Sequence, residues 1–168
     1  MGRLTRIARH RWFDERQVRR AIDAAARERL QARLVASEGR HSGEIRVCIE
    51  AGLPLRHLWR RVTPRQRAVA LFGELGVWDT EANNGVLIYL LLAEHAIEIV
   101  ADRAVARLVP DTHWSEVLQG MRSAFAAGRF EDGLAGAIDA VDAVLEKHFA
   151  LAPGQVNPNE LPDHLDLR

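Results

Sequence analysis

Cysteine occurs once in the 168 residues, at Cys48, so no intrachain disulfide framework and no multi-cysteine zinc or iron–sulfur site can form. Lysine also occurs once, at Lys147, against 22 arginines. Arginine suits bidentate phosphate recognition, although a coding bias toward arginine gives the same count. No stretch approaches 18 uninterrupted apolar residues; the longest, 86–93, is the length of a strand. The first 17 residues carry arginine throughout and no apolar block of secretory-signal length. A reducing, cytoplasmic setting is expected from these absences. A Gly-rich phosphate loop, a G-x-S-x-G elbow and an H-E-x-x-H helix are missing as well, which argues against the commonest enzyme classes. The seven histidines (His10, His41, His57, His95, His113, His148 and His164) include no pair at i, i+3 or i+4 spacing for metal capture, and read as surface or cap residues.

What is present is the makings of one domain. Hydrophobic residues make up 48% of the chain, and a chain of this length buries roughly 70% of its unfolded surface. The net charge of zero hides a division: residues 1–67 hold 17 arginines against 7 acids, and residues 68–168 hold 6 bases against 16 acids. Fields of +10 and −10 would steer a polyanion or an anionic membrane to the first half, or would neutralise each other within one fold or across a dimer.

Local patterning gives the elements. Asp14 and Gln17 form a capping box, with Phe13 placed to staple on Val18, and Val18, Ala21, Ile22, Ala25, Leu30 and Leu34 continue as one helical stripe. Residues 44–50 alternate, putting Ile45, Val47 and Ile49 on one face and leaving Arg46, Cys48 and Glu50 on a polar face, as in a half-covered strand. Thr63, Pro64 and Gln66 start a second helix bearing Ala68, Leu71, Phe72 and Leu75, which Gly76 ends. Residues 86–92 are apolar on both faces and read as the central strand. After the polar interruption Glu94-His95, residues 96–101 return as the second strand of an antiparallel hairpin. A short helix follows from Ala104. Trp114, Val117, Leu118, Met121 and Phe125 mark a longer one ending at Gly128, and Leu134, Ile138, Val141, Leu145 and Phe149 mark the last. Residues 1–13 form a basic arm, 14–150 the α/β domain, and 151–168 an extended tail that wraps the domain or waits for a partner.

Four tryptophans, Trp12, Trp59, Trp78 and Trp114, would serve as stacking platforms for bases or as anchors into the core; anchoring is the expected role, and nucleic acid is not expected because no reader fold is recognisable. Leu4, Ile7, Ala8 and Trp12 share a helical face among Arg3, Arg6, Arg9 and Arg11, the pattern of an arm lying on anionic lipid.

In open α/β sheets ligands bind where loops leave the carboxyl edges of the strands. With the first strand parallel to the third, Glu50, the loop holding Asp79, Asn83 and Asn84, and Asp102-Arg103 meet at one edge. Glu50, Asp79, Asn83, Asn84 and Asp102 would there offer oxygens to calcium or magnesium, and Arg103 would receive a phosphate. Turn chemistry alone also accounts for Asp79, Asn83 and Asn84, with Gly85 supplying backbone freedom.

Four strings occur in order: His41-Ser42-Gly43-Glu44-Ile45-Arg46-Val47, Asn83-Asn84-Gly85-Val86-Leu87-Ile88-Tyr89, Glu98-Ile99-Val100-Ala101-Asp102-Arg103, and Phe125-x-x-Gly128-Arg129-Phe130-x-x-Gly133-Leu134. Together they resemble the TPM domain family, named for a thylakoid lumen protein, a photosystem II repair protein and a modulator of an acetylcholine receptor. The resemblance implies a Rossmann-like three-layer α/β/α sandwich with a small mixed sheet. It also implies phosphatase activity and divalent-metal binding, as in some members, or accessory roles in membrane-protein maintenance, as in others. Longer relatives carry an acid before the Asn-Gly pair and a Gly-rich turn ending in Glu after the third strand. Asn83 and Asp102-Arg103-Ala104 stand at those places here, so an amide weakens the cation site and Asp102 compensates. The expected role is an accessory or binding domain for a protein partner or an anionic membrane surface, requiring no cofactor. The alternative is a calcium- or magnesium-dependent phosphatase acting on phosphomonoesters. Oligomeric state is left open.

Overall fold

The computed structural model describes residues 2–157, 159–162 and 164–168. Helices α1 (Arg3–Trp12), α2 (Glu15–Ala21) and α3 (Ala24–Glu38) lead into strand β1 (Ile45–Glu50). Helices α4 (Leu55–Trp59) and α5 (Pro64–Glu74) precede β2 (Val86–Leu91), a 3₁₀ turn (Leu92–Glu94) and β3 (Ala96–Ala101). Helices α6 (Arg103–Leu108), α7 (Asp111–Ala126) and α8 (Phe130–Phe149) follow, and a two-residue strand β4 (Asp166–Leu167) closes the chain.

The sheet has the order β3-β2-β1-β4. β2 and β3 form the antiparallel hairpin, with Val86 opposite Ala101 and Leu91 opposite Ala96. β1 runs parallel to β2, Ile45 opposite Val86 and Glu50 opposite Leu91. β1 is therefore antiparallel to β3, which corrects the expectation that the two run the same way.

Alternation along the strands divides the core in two. Ile45, Val47, Ile49, Val86, Ile88, Leu90, Ile97 and Ile99 face α3, α7 and α8, whereas Cys48, Leu87, Tyr89, Leu91 and Val100 face α4 and α5. Each fully buried Leu, Ile or Val contributes about 1.5–3 kcal/mol of hydrophobic stabilisation. β1 is buried on both faces, not half-covered. The tail covers its second face: Leu161 is buried there, and Arg46 donates to the carbonyl oxygens of Pro162 and, at 3.0 Å, His164. The tail thus wraps the domain, and β4 pairs in parallel with Cys48 and Ile49.

Two other expectations change. The stripe from Asp14 is two helices, because Asp23 caps a new one by accepting the Ala26 N–H at 2.8 Å; Ala26 is buried and Ala25 exposed. Gly85 has no positive φ, and its need is space: a Cβ there would stand 2.0 Å from the Val77 carbonyl oxygen.

Part of the charge division is resolved between helices. Arg29 pairs with Glu131, Arg33 with Asp139 and Arg40 with Asp142, joining basic α3 and its following turn to acidic α8.

Candidate functional site

The topology splits the proposed site residues between opposite ends of the sheet. Asn83, Asn84, Asp102 and Arg103 gather where β2 begins and β3 ends. The Asp102 N–H donates to the Gly85 carbonyl at 2.9 Å, and Arg103 Nη2 donates to Asn83 Oδ1 at 2.8 Å. Asn83 is left-handed, with φ +52°, a conformation asparagine tolerates. Asn84 is wholly buried; its N–H donates to Thr80 Oγ1 at 3.0 Å and its Nδ2 to Ser42 Oγ at 3.2 Å. Asp79 is exposed in the preceding turn. Asp102 Oδ1 caps α6 by accepting the Arg103 N–H at 2.6 Å. Asn84 Oδ1 and Asp102 Oδ2 are buried without a hydrogen-bond partner among the described residues.

Glu50 lies at the other end, five residues along β1, or about 17 Å at the usual strand rise. Its carboxylate is in use: Arg67 donates Nε and Nη2 to it, both at 3.1 Å, and Tyr89 donates its hydroxyl at 2.7 Å. Burial, then the Glu50 charge, pushes the Tyr89 phenol far above its ordinary range, so it stays a donor. Glu50 is a structural partner of Arg67 and does not join the Asn83–Asp102 group.

Calcium takes six to eight oxygens. Among the described residues, the Asn84–Asp102 end offers one carboxylate oxygen and one amide oxygen free of partners, with Asn83 Oδ1 held by Arg103. No three His, Cys, Asp or Glu side chains among the described residues are grouped to hold a metal ion. The side chains do not make up a complete ligand set for calcium or magnesium.

Two histidines and three tryptophans depart from expectation. His10 and His41 are buried, not surface residues. His41 Nε2 stands 3.2 Å from Asp142, and burial lowers its pKa in spite of that carboxylate. His10 Nε2 is 2.7 Å from Glu94 Oε1, which also accepts Arg6 Nε at 2.6 Å. Trp12, Trp59 and Trp78 are 79%, 58% and 54% exposed, whereas Trp114 is half-buried and packs on the core as an anchor. Sequence gave no signal for α4 or for the Glu50–Arg67–Tyr89 cluster. Cys48 is wholly buried and its thiol is pushed above the ordinary range, chiefly by burial, which removes it as a nucleophile.

A third region lies outside the sheet. α1 packs against α4, tied by Arg6 Nη2 donating to the Val62 carbonyl at 2.7 Å. Ile7 and His10 face inward, and Leu4, Ala8 and Trp12 face out. Leu55 and Trp59 of α4 are exposed as well. At the carboxyl end of β2, a cavity of about 290 Å³ is lined by Phe13, Gln17, Arg20, Leu92, His95 and Phe130.

This is an open mixed sheet between helical layers. The family model of the TPM domain matches residues 17–144, and the chain belongs to the TPM domain family. It is similar to the NMR structure of the BA42 protein from the psychrophilic bacterium Bizionia argentinensis, at 25% identity and a TM-score of 0.76 over 88% of this chain and 95% of that one. The N-terminal domain of a protein from P. gingivalis shares the fold at 21% identity and a TM-score of 0.57, over 83% of this chain and 94% of that one. No curated protein matches the chain. No helix among the described residues is long and apolar enough to cross a membrane.

Proposed function

We propose that this TPM domain is an accessory module that acts by binding a protein or membrane-associated partner, and that the α1–α4 side is its contact surface. One observation carries the reading: Leu4, Trp12, Leu55 and Trp59 are exposed beside Arg9, Arg11, Arg56, Arg60 and Arg61, none of which has a carboxylate partner among the described residues. Large exposed apolar side chains rimmed by polar ones are characteristic of contact surfaces.

A metal-dependent phosphomonoesterase is the second reading, favoured by the buried, unpartnered Asn84 Oδ1 and Asp102 Oδ2 beside exposed Arg103. Calorimetric titration with calcium and with magnesium, followed by phosphomonoester turnover in wild type, Asp102→Ala and the cap-preserving Asp102→Asn, separates the two. Metal-independent background hydrolysis, equal in all three, supports the accessory module. Metal-dependent turnover lost in both variants overturns it.

A further inference from the structure

We infer that α1 is a monotopic membrane-surface helix, its outer face seated among anionic lipid headgroups; this rests on the accessory-module reading and names the partner. At 100° per residue, Leu4, Ala8 and Trp12 fall within one arc of about 80°, with Arg11 on one flank and Arg9 on the other. All five are exposed. The stripe spans about 12 Å of helix axis, from Leu4 at 81% exposed to Trp12 at 79%. Such a face lies flat, apolar side chains reaching into the headgroup–acyl boundary and arginines extending to the phosphates above it. Trp is favoured at that boundary, where its ring meets lipid and its N–H meets water.

Charge selects lipid over an apolar protein groove. α1 contains no acid, and α4 and the residues just after it add Arg56, Arg60 and Arg61 with no carboxylate beside them among the described residues. On other elements Arg29, Arg33, Arg40, Arg65 and Arg67 each have a carboxylate partner. Arg9, Arg11, Arg56, Arg60 and Arg61 thus keep their charge on and just after the two helices that expose Leu4, Trp12, Leu55 and Trp59. The opposite side of α1 holds it on the domain through His10 and Arg6 on Glu94, so the helix is already formed and oriented before any membrane arrives. That preformed geometry lowers the ordering cost of binding.

The test is flotation of the full chain with vesicles of phosphatidylcholine alone and of phosphatidylcholine mixed with phosphatidylglycerol. Flotation with the anionic vesicles only, falling as salt is raised, is expected. Arg9→Gln and Arg11→Gln should each weaken it about fivefold, as for a basic residue near an anionic surface. Trp12→Ala should weaken it by at least about tenfold, as expected when a large apolar contact is removed. These side chains are exposed, so unchanged circular dichroism and melting identify a folded variant. No flotation with anionic vesicles, equal flotation in all variants, or an α1 face that captures a protein while ignoring vesicles each overturns the inference. Metal-dependent turnover lost in the Asp102 variants would overturn the accessory reading alone, so the two failures are distinguishable.

Discussion

His10 Nδ1 accepts the Leu53 backbone N–H at 2.9 Å, which places the proton of the neutral ring on Nε2, where it is donated to Glu94. One side chain thereby joins α1, the loop after β1 and the turn after β2.

Protonating His10 replaces the Nδ1 lone pair with a second donor facing the Leu53 N–H. Burial lowers its pKa from 6.5, outweighing the attraction of Glu94, while Arg6 and Arg9 push the same way as burial. The folded protein therefore binds this proton less readily than the unfolded chain. Stability from the clasp is complete above pH 6.5 and is lost as pH falls through the lower folded value. His41, also lowered, contributes with the same sign. The Leu53 amide should lose hydrogen-exchange protection below pH 6.5. His10→Ala, which leaves that buried N–H without a partner, should cost about 1–3 kcal/mol and remove the local pH response.

Arg67 is the counterion of a buried carboxylate. Removing one partner of such a pair costs about 3–5 kcal/mol, because the other charge remains buried. Arg67→Ala should therefore lower the urea midpoint more than Tyr89→Phe, which takes one hydrogen bond from Glu50 at a cost of about 1.5–3 kcal/mol. Equal midpoints for the two variants would contradict this ranking.

Two glycines should respond in opposite directions to alanine. At Gly85 the added methyl collides with the Val77 backbone oxygen, and overpacking of this kind costs about 1–3 kcal/mol or more. Gly73 lies in α5 with nothing within 4 Å of a Cβ, so Gly73→Ala should stabilise by about 0.4–1 kcal/mol. Thermal melts of the pair measure both.

The Cys48 thiol should resist aromatic disulfide reagents in the native protein and react fully in denaturant. Reaction at a comparable rate in both conditions would show that β1 and β4 open readily at that point.

Signals carried by neighbouring residues were readable without coordinates. The capping boxes Asp14–Gln17 and Thr63–Gln66 are made as the spacing requires, and the β2–β3 hairpin lies where two apolar runs flank a short polar break. The division at Asp23 was hidden because Ala21, Ile22 and Ala25 also fit an unbroken helix. Alternation in β1 gave the two faces but carries no information on strand direction, and direction is what separates Glu50 from Asp102. Arg46 and Glu50 read as solvent-facing because the groups that bury them are remote: Arg67 and Tyr89 are 17 and 39 residues from Glu50, and the Pro162 carbonyl is 116 from Arg46.

The charge ladder between α3 and α8 bears on biosynthesis. The ribosome releases the arginine-rich half first, and its acidic counterweights at 131, 139 and 142 emerge roughly a hundred residues later. Until then the nascent segment carries an excess of positive charge, and completion of α8 supplies, in one event, apolar cover for β1 and β2 and the carboxylates that pair Arg29, Arg33 and Arg40.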